Sequence, residues 1–190
     1  MDTDEYDPNC DGCKRSQGDS VTGGIVRLGS EWILNHYQGD EGFLGWMALQ
    51  PRRHRCELAK LASDELATLG ENIQKIDSAL QAYWQEHFSN DPIKRVYMVY
   101  FYESVYDEPT PTSFHLHMHL IPRTQRLDRL LRESTQPGSD PITTSSTIVA
   151  WNIYRVTKYT DFPSEYRYDR RREEDKPKVC DLMNYLRSRL

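Results

Sequence analysis

The sequence predicts an α+β fold: an antiparallel sheet of about five strands, one long helix packed on it, and a C-terminal extension. Three features predict it. Short apolar runs parted by turn residues lie between Ile25 and Leu49, unbroken helical periodicity spans residues 64–87, and histidines alternate with apolar residues at 114–121. A chain of 190 residues can hold one domain with a real core. We expect that domain over residues 1–133, with 134–190 as an extension packing on it or on a second copy.

Each element follows from its residues. Ile25–Leu28 and Trp32–Leu34, parted by Gly29-Ser30, read as strands, and Phe43–Leu49 follows a turn-rich stretch from Gln38 to Gly42. Ser63-Asp64-Glu65 offers a capping hydroxyl and two acids at a helix start. Leu66, Leu69, Ile73, Ile76, Leu80, Tyr83 and Trp84 then recur at helical spacing, a stripe that belongs to the core, until Asn90-Asp91-Pro92. Val96–Tyr102 is rich in β-branched and aromatic residues and reads as a buried strand. Phe114–Ile121 is the next strand, stopped by Pro122. Residues 123–133 have a helical pattern and 134–146 a linker composition. Residues 147–157 read as a strand, and a short helix follows Val179.

Composition excludes several roles. The net charge of −5 argues against a chain built to coat nucleic acid or anionic lipid. The first residues, MDTDEYDPNCDGC, are acidic without a signal-type apolar core, and no apolar run approaches the ~20 residues of a membrane span, so we expect a cytoplasmic protein without membrane partners. Arginines 123, 126, 129 and 132 read mainly as a solvated face, with Arg123 the best placed for a ligand. The Tyr- and Arg-rich tail, Trp151 to Arg172, reads as a wrapping segment, since Glu173-Glu174-Asp175 opposes a nucleic-acid role.

The chemistry concentrates in Phe114-His115-Leu116-His117-Met118-His119-Leu120-Ile121, which holds three of the six histidines. On a strand His115, His117 and His119 share one face while the apolar residues seal the other. The outer pair stand ~13 Å apart, too far for one unbent metal site. Neighbouring imidazoles can instead share a phosphoryl group, and His117, flanked on both sides, is the natural nucleophile. Cys10-Asp-Gly-Cys13 has the turn chemistry of a zinc knuckle, with the redox reading weakened by the lack of a following βαβ context.

His115-Leu-His117-Met-His119-Leu-Ile-Pro-Arg resembles the signature of the histidine triad (HIT) superfamily of nucleotide hydrolases and transferases. The order of Gly45-Trp-Met-Ala-Leu-Gln-Pro51-Arg-Arg-His54, a long helix and a strand is similar to that family's layout over residues 10–123. The resemblance implies a HIT-like fold, a homodimer, and attack by His117 on the α-phosphorus of a nucleotide, with His119 hydrogen-bonding phosphoryl oxygens or the leaving group. A third histidine, where the uridylyltransferase branch has Gln, implies hydrolysis of a dinucleoside polyphosphate, nucleotide ester or phosphoramidate. A nucleotidyl transferase to a sugar phosphate or orthophosphate, and a non-catalytic nucleotide-binding adaptor, are the alternatives.

Zinc-bearing members resemble this chain's order too, which implies a structural zinc on Cys10, Cys13, His54 and His115, with Cys56 and His36 as rival ligands and Cys180 semi-buried. Before the triad, Thr112 matches the family's hydroxyl position for phosphate, with Ser113 beside it as a further expected substrate contact, while Pro111 stands where Gln is usual. Asn35 is the nearest match to the family's ribose-binding acid, and Arg123 completes the expected substrate contacts.

Overall fold

The computed structural model describes residues 6–18, 21–37, 42–100, 114–127, 167–168 and 173–190. The elements are α1 (Asp11–Gln17), β1 (Ile25–Leu28), β2 (Trp32–His36), β3 (Gly42–Phe43), β4 (Met47–Pro51), α2 (Ser63–His87), β5 (Ile93–Tyr100), β6 (Met118–Thr124), β7 (Arg167–Tyr168) and α3 (Lys176–Arg189). Short 3-10 turns occupy Leu58–Lys60 and Glu173–Asp175. Five strands form one antiparallel sheet in the order β1-β2-β4-β6-β5, and β3 pairs with β7 in a separate ribbon.

Register fixes which residues share a face. Asn35 pairs with Ala48, Ala48 with His119 and His119 with Val99, so these four lie in one row across the sheet. Trp46 and Gln50 flank Ala48 on that same side by alternation. The opposite side carries Leu34, Met47, Leu49 and Leu120, which join Ile76, Leu80, Tyr83 and Trp84 of α2 in the core. Burial at helical spacing is what selects the α2 face, with one departure from expectation. Leu66 is 52% exposed, and the buried side of the first turn of α2 is taken by Glu65.

The Phe43–Leu49 run is divided. Gly45 adopts φ +87, a left-handed conformation that turns the chain between β3 and β4. A Cβ there would also lie 2.6 Å from the Trp84 ring, so glycine is required twice over. Pro122 does not stop its strand. β6 runs on to Thr124, because β4 ladders only with Met118–Leu120, so past Leu120 the strand has β5 alone as a partner and the missing N–H breaks no ladder bond on the β4 side. Helix therefore begins at Gln125 rather than Arg123. The N-cap of α2 is Ala62, one residue before the expected serine, and its N–H donates to Glu65 Oε2 at 2.7 Å.

The described part of the extension folds back on its own chain. Val179, Leu182, Met183 and Leu186 of α3 are fully buried with β1, β2 and α2, and Tyr83 Oη donates to Asp181 at 3.1 Å. Helix α3 starts three residues before Val179, where Pro177 sits in its first turn. Cys180 faces solvent instead of being semi-buried, since 179, 182, 183 and 186 take the inner face. The expectations over 128–133, 134–146 and 147–157 lie outside the described residues.

Candidate active site and metal centre

The three histidines fall at the junction of β6 and the extended residues 114–117 that precede it. These four residues are anchored from the other side, where Leu116 N–H donates to Arg55 O at 2.6 Å. Met118–Leu120 then enter the ladder between β4 and β5. Strict alternation is therefore a property of only part of the run, and it divides the triad.

His115 is drawn inward. Its Nε2–H donates to the carbonyl of Pro51 at 2.8 Å, which leaves Nδ1 with a lone pair. That Nδ1 stands 3.3 Å from Cys10 Sγ and 3.6 Å from Cys13 Sγ. Cys13 Sγ is in turn 3.3 Å from His54 Nδ1. His54 Nε2 lies 3.2 Å from Cys56 Sγ, on the side of the ring away from the Nδ1 that faces the cluster. All four side chains are buried, and their ligand atoms lie within 4.8 Å of one another.

This set fits zinc. Tetrahedral bonds of ~2.3 Å to sulfur and ~2.0 Å to nitrogen put neighbouring ligands roughly 3.3–3.8 Å apart, close to the distances seen. Burial lowers His115 to about 4, keeping it neutral. Burial also pushes the Cys13 thiol up to about 11, where a divalent cation would be needed to hold it as thiolate. Cys10 and Cys13 do not sit on a simple knuckle turn. Cys10 caps α1 and Cys13 lies in its first turn, and i, i+3 spacing on a helix brings both sulfurs to one side. Between them Gly12 leaves space for the His115 ring, since a Cβ there would be 2.3 Å from His115 Cγ. His36 is remote from this cluster, on β2, where it accepts from Gly45 N–H at 3.3 Å and faces the Tyr37 carbonyl through Nδ1 at 3.1 Å.

His117 and His119 form the other half. Their rings meet edge to face with centroids 4.8 Å apart. His117 Nδ1–H donates to the main-chain carbonyl of His115 at 2.9 Å, so the lone pair is on Nε2. His117 is half-buried and His119 is buried. Burial first, and then the neighbouring His117, push His119 down to about 3, so its ring is neutral at pH 7. Trp46 Nε1–H donates to His119 Nδ1 at 2.9 Å. Chemically, the pair presents a nucleophilic nitrogen beside a neutral ring.

The expected substrate contacts are more dispersed. Asn35 shares the His119 row but lies two strands away, about 10 Å across the sheet. Its Nδ2 donates to the His36 carbonyl at 2.7 Å, and its buried Oδ1 has no hydrogen-bond partner among the described residues. Arg123 is four positions along β6 from His119, buried, with its guanidinium 4.8 Å from the Tyr97 ring centroid. Thr112 and Ser113 lie outside the described residues.

Trp46, Gly12 and the Pro51 carbonyl were absent from the sequence-based site. Alternation along 46–50 puts Trp46, Ala48 and Gln50 on one face, but only the pairing of β4 with β6 brings that face to the histidines.

Neither a family model nor a curated protein matches the chain. Among solved structures, it is similar over 97% of its length to a Hit-like protein involved in cell-cycle regulation from Bartonella henselae, crystallised with an unknown ligand. The likeness covers 99% of that chain, with 16% identity and a TM-score of 0.52. Looser likenesses include a zinc-bound histidine triad family protein from Mycobacterium smegmatis, at 14% identity, 94% and 96% coverage and a TM-score of 0.47. A HIT family protein from Bacillus anthracis follows at 17% identity, 77% and 92% coverage and 0.46. The α+β fold of this chain is thus HIT-like. Among the described residues no helix is long and apolar enough to cross a membrane.

Proposed function

We propose that this HIT-fold chain is a nucleoside phosphoryl hydrolase that works through a nucleotidyl intermediate on His117. One observation carries the reading: the 2.9 Å bond from His117 Nδ1–H to the His115 carbonyl, which gives the neutral ring its proton on Nδ1 and its lone pair on Nε2. An imidazole fixed in that tautomer needs no base to become a nucleophile. Nε2 would bond to the α-phosphorus as the bond to the leaving group breaks and the electron pair departs with that group. Water would then displace the histidine and release the nucleoside monophosphate.

His115 serves this step through its main chain, while its side chain belongs to the metal cluster. Zinc on Cys10, Cys13, His54 and His115 supplies a closed, structural four-ligand centre when bound. The ligands themselves tie α1 to the histidine segment, and that segment carries the carbonyl that orients His117. Thr112, Ser113, Asn35 and Arg123 are retained as proposed substrate contacts. The same reading includes a cytoplasmic homodimer.

The test is a panel of dinucleoside polyphosphates, nucleotide esters and phosphoramidates, each with and without orthophosphate or a sugar phosphate. Release of nucleoside monophosphate in water alone is expected, with His117→Ala lowering turnover at least a thousandfold at unchanged circular dichroism. Turnover only with an added acceptor would mean a transferase. Binding without turnover in either protein would leave an adaptor.

A further inference from the structure

We propose that Trp46 is a positioning residue: its Nε1–H, set on Nδ1 of His119, holds that imidazole as an Nε2–H donor that hydrogen-bonds a phosphoryl oxygen and does not protonate the leaving group. The inference rests on the phosphoryl-transfer reading of His117 and deepens it by assigning the chemistry of its neighbour.

An indole N–H can only donate, so the nitrogen it meets at 2.9 Å presents a lone pair. The proton of the neutral ring is then on Nε2. Adding a second proton at Nδ1 would set two N–H groups head to head inside a buried site. Yielding the Nε2 proton instead would leave an imidazolate anion. His119 is therefore suited to stabilise charge and unsuited to transfer a proton, an arrangement in which a neutral imidazole acts as an electrophile.

Trp46 is itself held. Tyr37 stacks on it with centroids 4.3 Å apart and planes 13° off parallel, and Tyr37 N–H donates to the Trp46 carbonyl at 2.7 Å. The Gly45 turn fixes the approach of its backbone, and the indole is buried. Nothing in this contact requires Trp46 to touch substrate.

A substrate class follows. When the new bond from His117 Nε2 to phosphorus forms and the bond to the leaving group breaks, that group must depart with its electron pair and without a proton from His119. Groups that are stable anions, such as a nucleoside polyphosphate, satisfy this requirement, whereas an alkylamine does not. Polyphosphates are accordingly the favoured substrates over alkyl phosphoramidates.

The test uses the full chain with 15N-labelled histidine, assigned with His119→Ala, and long-range proton–nitrogen correlation without substrate at pH 7. The wild-type protein is expected to show His119 protonated at Nε2 alone; a proton at Nδ1 overturns the inference whether or not any variant folds. In Trp46→Phe, which keeps the stacked ring, both tautomers should appear. With a dinucleoside polyphosphate, kcat should fall roughly tenfold with KM within twofold. An unchanged tautomer in that variant, or faster wild-type cleavage of an alkyl phosphoramidate than of a polyphosphate, would also overturn it. Absence of turnover on every nucleotide would sink the phosphoryl reading instead, while the tautomer measurement still decides Trp46.

Discussion

Two single residues carry more than their size suggests. Gly12 is the floor on which the His115 ring lies, so Gly12→Ala must push that ring or α1 away. Overpacking of this kind costs about 1–3 kcal/mol, and here it would also spread the ligand set. Thermal unfolding should show a lowered Tm, and metal titration a weakened affinity. His36 is the second. Burial, opposed by its main-chain hydrogen bonds, lowers it to about 4 from an ordinary 6.5. The folded state thus holds it neutral while the unfolded chain takes up a proton below about pH 6.5. Its contribution is complete above that pH and is lost as pH falls to about 4, on the order of 3 kcal/mol in all. Denaturant unfolding of wild type and His36→Gln should therefore converge as pH drops through this window. A constant difference would rule out a titrating His36.

At the scale of elements, one buried carboxylate organises the residues around His54. Glu65, fully buried in the first turn of α2, accepts from Arg53 Nε at 2.8 Å, Arg55 Nε at 3.0 Å and Ala62 N–H at 2.7 Å. It pins both neighbours of His54, and the Arg55 carbonyl in turn holds Leu116. Glu65→Ala would remove the buried carboxylate of two ion pairs at a cost of about 3–5 kcal/mol, and should weaken metal binding more than a cut of equal size elsewhere in α2. Comparing its metal affinity with that of Leu80→Ala checks this.

The elements also mark what the sequence can convey. Helix α2 was legible almost to the residue because a stripe of Ile76, Leu80, Tyr83 and Trp84 has no competing pattern. The histidine run was legible as a strand only from Met118 onward, since residues 114–117 are extended but join no ladder. Its split was not, because whether His115 turns toward cysteines over a hundred residues away depends on tertiary contacts that alternation does not encode. Pro122 was misjudged for a similar reason, since a proline ends a strand only where its N–H is needed by a neighbour. Trp46 was invisible as a partner of His119 until β4 and β6 were paired. The four-ligand set, by contrast, came through resemblance in sequence order, and the structure brings the same four side chains together.

For the whole molecule, the cluster of Cys10, Cys13, His54 and His115 links the N-terminal helix, the segment after β4 and the histidine segment before β6 in one knot. One equivalent of zinc per chain is expected by elemental analysis, and its removal by a chelator should lower Tm and turnover together. A metal-free protein of unchanged Tm would end that proposal. The proposed homodimer is checked by light scattering, where a mass near twice 22.3 kDa is expected. Strand β5 pairs only with β6 among the described residues and leaves Met98 54% exposed.

The proposed attack by His117 is tested most directly by stereochemistry. A chiral phosphorothioate substrate, cleaved in isotopically labelled water, reports how many displacements occur at phosphorus. Two in-line steps through His117 Nε2 predict retention of configuration in the released nucleotide. Inversion would mean that water attacks directly, and would contradict a covalent role for His117.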